Sequence, residues 1–208
     1  MKIAVIGGAS GVGYEATQQA LTKGHKVTVL SPNANSLSNH INLTKINGSA
    51  LNRTDVTTAI KDTDAVLITF GTKQKKGTTL FSAMAQAVVS AATTISYDKP
   101  VIIISGFGVG DGYRSLSILM KIVINLFLKD QYKDKAIMEQ IFSSSNLNWE
   151  LVQPGILNDG KLISKYKTYS SFFKGMKVGK ISRADVAHYM LIEAANPANL
   201  RQKVAITY

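Results

Sequence analysis

Cysteine is absent from this chain of 208 residues. Its absence excludes disulfide bonds, thiolate nucleophiles and zinc sites built on cysteine. A long hydrophobic run is also missing, because the most apolar stretch, residues 118–128, contains Lys121 and is too short to span a bilayer. The first residues predict a strand rather than a signal peptide. We therefore expect a cytoplasmic protein without a membrane span.

Acidic residues are scarce, since 13 aspartates and glutamates accompany 24 lysines and arginines and the net charge is +11. Such an excess is typical of a phosphate-rich partner, or of lysines spread over a solvated surface. Several lysines cluster late in the chain, at Lys161, Lys165, Lys167, Lys174, Lys177 and Lys180. No helix-turn-helix, aromatic RNA platform or zinc finger accompanies them, so nucleic acid is not the expected partner.

Short apolar runs rich in β-branched residues alternate with segments of helical spacing. The predicted strands are Ile3–Ile6, Val27–Leu30, Ala65–Phe70, Val101–Ile104, Leu151–Val152 and Val204–Thr207, with a weaker one at Ile41–Ile46. The predicted helices are Gly11–Lys23, Asp55–Ile60, Thr79–Thr93, Leu116–Leu128, Lys133–Ser143 and Arg183–Ala195. This alternation predicts an α/β, doubly wound, Rossmann-type parallel sheet with helices on both faces. We expect residues 1–208 to form a single domain.

A glycine-rich loop, residues 7–13, joins the first predicted strand to the first helix. Glycine at 7 lets the chain turn sharply off the strand, and glycines at 11 and 13 let the backbone approach a pyrophosphate closely. The following helix offers unpaired N–H groups and a positive dipole end to that anion. The order of strand, loop, helix and second strand makes this pattern much stronger than glycines alone. The predicted cofactor contacts in this loop are Gly7, Ser10, Gly11, Val12 and Gly13.

The stretch behind the glycine loop contains no acidic residue between Glu15 and Asp55. An NAD site usually places a carboxylate after the second strand, where it binds the ribose hydroxyls. Ser31 and Asn33 occupy that position here, and their hydroxyl and amide groups tolerate a phosphate that a carboxylate would repel. Three lysines also lie near this strand in the sequence, at Lys23, Lys26 and Lys45. The sequence therefore favours NADP, with NAD as the alternative.

Five further segments follow the glycine loop in a fixed order. They are residues 64–72, 104–111, 134–139, 148–155 and 181–187. With these segments the chain resembles the atypical short-chain dehydrogenase/reductases of the NmrA-like group, in the layout of its NADPH-flavin reductase members. The resemblance covers nearly the whole chain.

On the adenosine side, the resemblance implies about seven parallel strands with the cofactor across their carboxyl ends. Phe70, Gly71 and Thr72 would line the adenosine ribose and the pyrophosphate. The chain departs from the group at two points. Tyr14 stands where the tighter turn of atypical members needs glycine, and Ser49 replaces the aspartate that holds adenine in relatives.

On the nicotinamide side, the resemblance implies that Ser105 faces the nicotinamide. Lys135 matches a position where relatives often carry a lysine that contacts the nicotinamide ribose. The residues that would flank the nicotinamide amide and the acceptor pocket are Pro154, Gly155 and Ile156. Parts of 106–132 and 154–180 would form this small acceptor-pocket region.

A Tyr-x-x-x-Lys pair, with which the main branch of short-chain dehydrogenases reduces carbonyls, is absent. None of the eight tyrosines has a lysine four positions later, and Tyr132 lies three before Lys135. Because a positioned proton donor contributes about 10²–10⁴ in rate, its loss argues against an ordinary ketone as substrate. Conjugated acceptors such as flavin, quinone or a linear tetrapyrrole delocalise the arriving charge and can take a proton from water. We therefore expect an NAD(P)H-dependent oxidoreductase acting on such an acceptor, with Ser105 and Lys135 as catalytic candidates.

Two other functions fit the same pattern. One is a dinucleotide-sensing regulator of the NmrA-like kind, which binds NAD(P) without turnover, and the other is an isomerase or epimerase that retains its nucleotide. A metal site is not expected, because His25, His40 and His188 show no ligand spacing to one another or to carboxylates.

The stretch from Leu116 to Leu128 is apolar except for one narrow stripe. As a helix it would align Lys121, Asn125 and Lys129, which is too little polar surface for an ordinary exposed helix. It would therefore be buried against the core or against the partner in a homodimer. Alternatively, it would roof an apolar acceptor pocket together with Tyr113 and Tyr132.

Overall fold

A mostly parallel β-sheet forms the centre of the computed structural model, which describes residues 1–72, 74, 76–173, 176 and 179–208. Of Asp111 only the backbone is described, and Lys174 and Lys177 of the predicted lysine cluster lie outside the described residues. The strands are β1 (Lys2–Ile6), β2 (Lys26–Ser31), β3 (Leu43–Asn47), β4 (Ala65–Ile68), β5 (Pro100–Ile104), β6 (Asn148–Pro154), β7 (Ile156–Asn158), β8 (Lys167–Tyr169), β9 (Lys180–Ser182) and β10 (Lys203–Thr207).

The main sheet has the strand order β3-β2-β1-β4-β5-β6-β10-β8. All neighbours are parallel except β8, which pairs antiparallel with β10 at one edge. This confirms the predicted α/β, Rossmann-type fold, in which β8 joins the seven predicted strands to make eight. The strands β7 and β9 form a separate parallel pair. Three-residue strands such as β7, β8 and β9 are too short to show an apolar pattern, so the sequence did not predict them.

The helices cover both faces of the sheet, as predicted. They are α1 (Gly11–Thr22), α2 (Arg53–Ile60), α3 (Leu80–Thr94), α4 (Ile118–Val123), α5 (Lys129–Ser143) and α6 (Arg183–Ala195). Alternate β1 side chains enter different layers: Ile3 and Val5 pack with α1 and α6, whereas Ala4 and Ile6 pack with α2, α3 and α5. Both faces are apolar because each parallel strand is covered on both sides.

Helix α6 begins at a capping box, a feature that Ser182 and Asp185 predict by their spacing. Ser182 Oγ accepts a hydrogen bond from the Asp185 N–H and donates one to Asp185 Oδ2, both at 2.9 Å. The Tyr208 hydroxyl also donates to Oδ2, at 2.6 Å. The cap therefore attaches the end of the chain to the start of the helix.

The segment predicted as one helix over Leu116–Leu128 is divided in the structure. Ser117 accepts a hydrogen bond from the Met120 N–H at 3.3 Å, so α4 begins at Ile118 and Leu116 stays extended. A π-helical turn, Ile124–Leu128, follows α4. At Leu128 the backbone leaves helical geometry, with φ −130° and ψ 8°, before α5 begins. A π-turn inserts an extra residue per turn and rotates the faces on either side of it, which a periodic sequence pattern cannot show.

Candidate functional site

The glycine loop follows β1 at the carboxyl edge of the sheet. Gly7 has a φ of +86°, and a Cβ there would lie 3.1 Å from the backbone of Thr69. A Cβ on Gly13 would collide with the Gly7 carbonyl oxygen and with Thr69 Oγ1. Thr17 Oγ1 donates to the carbonyl oxygens of Gly8 at 3.1 Å and Gly13 at 2.8 Å. The loop is thus fixed against the end of β4, in a shape that only glycine permits at positions 7 and 13.

Helix α1 begins directly from this loop, and its first turn carries no acidic side chain. Ser10 precedes the helix with an extended backbone and an exposed side chain. The N–H groups of the first helical turn and the positive end of the helix dipole therefore meet the loop without a competing carboxylate. The predicted contacts Ser10, Gly11, Val12 and Gly13 lie together here, and their arrangement fits a pyrophosphate.

Arg183 is a basic residue beside the glycine loop that no motif near the loop indicated. A Cβ on Gly11 would lie 3.9 Å from Arg183 Nε. Arg183 Nη1 forms an ion pair with Asp159 Oδ1 at 2.6 Å. Because Arg183 opens α6 and α6 packs against α1, only the tertiary structure brings this guanidinium to the loop.

The predicted adenosine-side residues meet at the ends of β2 and β3. The Gly48 N–H donates to the Ser31 carbonyl oxygen at 3.2 Å, and the Asn33 N–H donates to Ser31 Oγ at 3.3 Å. Ser31 is buried, whereas Asn33 is exposed. The Ser49 N–H donates to Asp55 Oδ2 at 2.9 Å. Asp55 thus brings a carboxylate from α2 to this edge, where the sequence alone suggested none.

The three lysines near β2 in the sequence do not gather at its carboxyl end. Lys26 begins β2 at the opposite edge of the sheet, and Lys23 caps the far end of α1. Lys45 Nζ donates to the Leu37 carbonyl oxygen and to Asn39 Oδ1, both at 2.7 Å. Closeness in sequence was therefore a poor guide to position for these lysines. Lys23 and Lys26 lie at the opposite edge of the sheet, and Lys45 is hydrogen-bonded to Leu37 and Asn39.

Residues 70–72 continue from β4 along the same edge. Phe70 packs edge-on against Phe81 of α3, with ring centroids 5.8 Å apart. Gly71 is exposed, and the Thr72 carbonyl oxygen accepts a hydrogen bond from Gln131 Nε2 at 3.3 Å. This segment therefore lies between the glycine loop and α5.

A cavity of about 1050 Å³ opens beside the ends of β5 and β6, and we call it the edge cavity. The predicted nicotinamide-side residues all line it: Ser105, Lys135, Pro154, Gly155 and Ile156. Most of the remaining wall is apolar and includes Phe107, Leu116, Ile118, Met120, Val123, Leu128 and Met176. In the described part of the chain, no glycine-loop residue lines the edge cavity. The two predicted halves of the site thus lie at one sheet edge, in separate places.

Ser105 directly follows β5 and is buried, and its hydroxyl forms hydrogen bonds within the protein. Ser105 Oγ donates to Glu139 Oε1 at 2.6 Å, and Gln153 Nε2 donates to the same oxygen at 2.7 Å. Lys203 Nζ forms an ion pair with Glu139 Oε2 at 2.9 Å. Because its proton is held by Glu139, Ser105 can accept a hydrogen bond from a ligand but cannot donate one. Glu139 thus holds the side chains of Ser105, Gln153 and Lys203 together below the edge cavity, a role that its position in the sequence did not indicate.

Lys135 and Tyr132 approach the same backbone segment from α5. Lys135 Nζ donates to the Ser105 carbonyl oxygen at 2.9 Å, and Tyr132 Oη donates to the Phe107 carbonyl oxygen at 3.1 Å. Burial lowers the pKa of Lys135 to about 8, although the nearby Glu139 opposes this shift. Burial also raises the pKa of Tyr132, so its hydroxyl stays protonated. Lys135 keeps two N–H groups for the edge cavity, whereas the Tyr132 hydroxyl donates its proton to the Phe107 carbonyl oxygen and can only accept a hydrogen bond there.

The stretch from residue 116 to 128 lines the edge cavity with one face and meets solvent with another. Leu116, Ile118 and Leu128 are part of the cavity wall, as is Tyr132. The exposed apolar side chains of this stretch are Ile118, Leu119, Ile122, Leu126 and Phe127. The prediction that this stretch is buried against the core of the same chain is therefore wrong, because no described part of the chain covers these side chains.

The part of the chain that the structure describes has neither a metal-binding cluster nor a membrane-spanning helix. No three histidine or acidic side chains there lie close enough together to hold a metal ion. No helix in the described ranges is long and apolar enough to cross a membrane.

Solved structures with the same fold share little sequence with this chain. ChuY, an anaerobilin reductase from Escherichia coli O157:H7, is 21% identical with a TM-score of 0.82, over 100% of this chain and 97% of its own. A short-chain dehydrogenase/reductase from Veillonella parvula, in complex with NADP, is 16% identical with a TM-score of 0.84, over 100% and 94%. A protein from Streptococcus pneumoniae assigned as an NADH-flavin reductase is 20% identical with a TM-score of 0.77, over 100% and 99%. At these identities the likeness shows the fold.

The sequence itself identifies the family. No curated protein sequence matches the chain. A model of the NAD(P)H-binding family matches residues 7–197, which include the glycine loop and every residue lining the edge cavity. The chain therefore belongs to the NAD(P)H-binding family.

Proposed function

We propose that the protein is an NAD(P)H-dependent oxidoreductase that transfers hydride to a conjugated acceptor such as flavin or quinone. The observation that carries this proposal is a large, mostly apolar cavity at the same sheet edge as a glycine cradle shaped for a pyrophosphate. The names of three structural neighbours, an anaerobilin reductase, an NADH-flavin reductase and an NADP complex, support it.

The residues present fit a nicotinamide dinucleotide, because glycine at 7 and 13 lets the loop pack against the end of β4, and a Cβ on Gly11 would meet nothing nearer than Arg183 Nε at 3.9 Å, which leaves space beside the start of α1. The glycine loop and Arg183 would hold the pyrophosphate, and Phe70, Gly71 and Thr72 would line the adenosine ribose. Ser105 would accept a hydrogen bond from the carboxamide, with Lys135, Pro154, Gly155 and Ile156 around the nicotinamide. When bound, the cofactor supplies the hydride.

NADP is the cofactor we propose, with NAD as the alternative. Ser31 ends β2 and Asn33 follows it, and neither the strand nor the residues up to Asn33 carry a carboxylate. Asp55 brings an acidic group to this edge, and its Oδ2 accepts a hydrogen bond from the Ser49 N–H. That hydrogen bond directs the carboxylate toward the β3 loop, which leaves Ser31 and Asn33 to meet the ribose phosphate.

The protein would promote the reaction mainly by orientation and by exclusion of water. The apolar wall of the edge cavity removes water from around the acceptor. Lys135, with a pKa of about 8, would hold a proton at the nicotinamide end of the cavity. A conjugated acceptor needs only this modest help, whereas a ketone would need a fully positioned donor.

A dinucleotide-sensing regulator is the second candidate, and a specific observation favours it. Ser105 Oγ and Lys135 Nζ both form hydrogen bonds within the protein, so neither depends on a substrate for its partner. In that case the cofactor would bind, and its binding would be read by another molecule rather than followed by turnover.

Further proposals concern the whole chain. We propose that residues 1–208 form one NAD(P)-binding domain that works in the cytoplasm. Pairing of two copies through the exposed apolar face of residues 118–127 remains a prediction, which sedimentation analysis would test.

Binding and turnover, measured separately, distinguish the two candidate functions. Fluorescence titration should show tighter binding of NADPH than of NADH, and the absorbance of NADPH should fall when flavin or a quinone is added. Tight binding without oxidation by any acceptor would contradict the reductase and favour the sensor. Equal or tighter NADH binding would contradict the preference for NADP.

A further inference from the structure

The wall of the edge cavity combines apolar surface with positive charge. Three cationic residues line it, namely Arg114, Lys121 and Lys135. Among the described residues that form the wall, none is acidic. A cavity for a neutral apolar molecule does not require these charges. A cation beside apolar surface is partly desolvated, and an anionic ligand would compensate for the lost hydration.

Arg114 and Lys121 come from a part of the wall that the proposed cofactor site does not use. Arg114 lies in the 3₁₀ turn Gly110–Ser115, and Lys121 lies in α4. The residues assigned to the cofactor phosphates are the glycine loop, Arg183, Ser31 and Asn33, and none of them lines the edge cavity. The cofactor phosphates therefore do not account for these two cations.

Lys121 is held in place by an aromatic side chain. Its Nζ lies 5.5 Å from the centroid of the Tyr113 ring, and Asn125 Nδ2 donates to the Tyr113 hydroxyl at 3.0 Å. A cation–π contact of this length restrains the ammonium without neutralising it. Lys121 thus keeps a full charge at the wall of the cavity.

Lys135 already has a partner within the protein, because its Nζ donates to the Ser105 carbonyl oxygen at 2.9 Å. It lies with Ser105 at the nicotinamide end of the predicted site. Because Lys135 is assigned to that end, Arg114 and Lys121 are the cations left to bind an anionic substituent elsewhere on the acceptor.

We propose that the edge cavity takes a conjugated acceptor that carries an anionic group, such as a phosphate or carboxylate, bound by Arg114 and Lys121. This inference rests on the proposed function and adds to it the charge class of the substrate. The apolar wall would hold the conjugated ring system, and the two cations would set which acceptors bind tightly.

FMN and riboflavin provide the test, because they share one ring system and differ by a phosphate. Binding is measured by quenching of flavin fluorescence with the protein saturated in NADP⁺, which occupies the dinucleotide site and cannot reduce the flavin. Two partly exposed cations predict that FMN binds roughly tenfold more tightly than riboflavin at low salt. The preference should shrink as salt is added.

Charge removal identifies the residues responsible. In the double variant Arg114→Gln/Lys121→Gln, FMN affinity should fall to that of riboflavin, while riboflavin affinity changes by less than about twofold. Lys133→Gln is the matched control, since Lys133 is exposed on α5 outside the cavity wall and its loss should preserve the preference.

Equal affinity of the unmodified protein for the two flavins would overturn the proposal. A preference that persists in the double variant, or failure of both flavins to bind, would also overturn it. Oxidation of NADPH by either flavin is measured in parallel and bears on the proposed function alone. The affinity ratio and the turnover can therefore fail independently.

Discussion

Ser105 and Lys135 lie where the sheet meets the edge cavity, and their internal hydrogen bonds decide what each can offer a ligand. The Ser105 hydroxyl gives its proton to Glu139 and keeps lone pairs that can accept. The Lys135 ammonium donates one N–H to the Ser105 carbonyl oxygen and has two more N–H groups to donate. Side by side, they present one acceptor and one cationic donor to the cavity.

The lowered pKa of Lys135 predicts how turnover depends on pH. Lys135 is cationic below its pKa of about 8 and neutral above it. If its charge stabilises the reduced acceptor, kcat with flavin should fall as the pH rises through about 8. Lys135→Met should lower kcat by about tenfold or more at pH 7 and remove this inflection. An inflection that persists in Lys135→Met would assign the titration to another group, and NADPH titration of the variant checks that the cofactor still binds.

Arg183 predicts a second effect, on cofactor binding. Arg183→Ala should weaken NADPH binding by roughly three- to tenfold in a fluorescence titration, because a cation beside the pyrophosphate is lost. The variant should still fold. A basic residue in the first turn of a helix interacts unfavourably with the helix dipole, so its removal does not weaken the helix.

The matched control for Arg183→Ala acts on its partner. Asp159→Asn removes the carboxylate that holds Arg183 Nη1. It should leave NADPH affinity unchanged or raise it. Identical affinity in Arg183→Ala and the unmodified protein would show that this arginine serves only its ion pair.

At the residue scale, local signals allowed good predictions and long-range contacts did not. The glycine loop is marked by its own composition, and Ser105 and Pro154 follow recognisable strands, so their common edge could be anticipated. Glu139 and Arg183 reach the site from helices that are far from it in the sequence, and Asp55 turns back to the β3 end from the start of α2. Only the packed fold determines which of a helix's polar side chains points to the site.

At the element scale, α5 connects the site to strand β10. It carries Tyr132, Lys135 and Glu139 at spacings that place them on one face. Through Glu139, this helix pairs with Lys203 of β10. The carboxylate is buried, whereas the Lys203 side chain is 27% exposed, so the pair is only partly screened by solvent.

Breaking this pair should destabilise the protein more than breaking a surface pair. Lys203→Met would leave a buried carboxylate without its cation, and we expect a loss of roughly 2 kcal/mol or more in urea unfolding. The double variant Glu139→Gln/Lys203→Met should lose less, because no buried charge then lacks a partner.

Lys99→Met is the matched control for Lys203→Met. The Lys99–Asp98 pair is 3.1 Å long with both side chains largely exposed, so its loss should cost less than about 1 kcal/mol. Equal costs for Lys203→Met and Lys99→Met would mean that Glu139 does not depend on its partner.

The elements themselves were predictable to different degrees. Long apolar strands and helices such as α1 and α3 appear near their predicted bounds because burial on both faces gives a continuous signal. The segment from 116 to 128 differs, since its apolar side chains line the edge cavity on one face and meet solvent on another instead of all packing in a core. Its π-turn also breaks the helical period on which the prediction rested.

At the scale of the whole molecule, a buried carboxyl sets how stability changes with pH. Glu150 of β6 is fully buried, and burial raises its pKa to about 8, partly opposed by the hydrogen bond from Tyr189 Oη at 2.6 Å. Because the folded pKa exceeds the ordinary value of 4.5, this group contributes stability that is complete below about pH 4.5. The contribution is lost as the pH rises toward 8.

Glu150→Gln should therefore stabilise the protein in mildly alkaline solution. The glutamine keeps an oxygen for the Tyr189 hydroxyl and has no charge to bury. We expect the melting temperature of the variant to exceed that of the unmodified protein at pH 8.5, with the difference vanishing toward pH 5. A variant that is less stable at both pH values would contradict this account.

The separation of the glycine loop from the wall of the edge cavity has an evolutionary consequence. Residues 110–128, which supply much of that wall, form one stretch between β5 and α5. Mutations can accumulate there without altering the strand-to-helix turn at residues 7–13. Under the proposed function, a lineage would acquire new electron acceptors while inheriting its reductant unchanged, and grafting this single stretch between relatives would be the direct route to exchanging their substrate ranges.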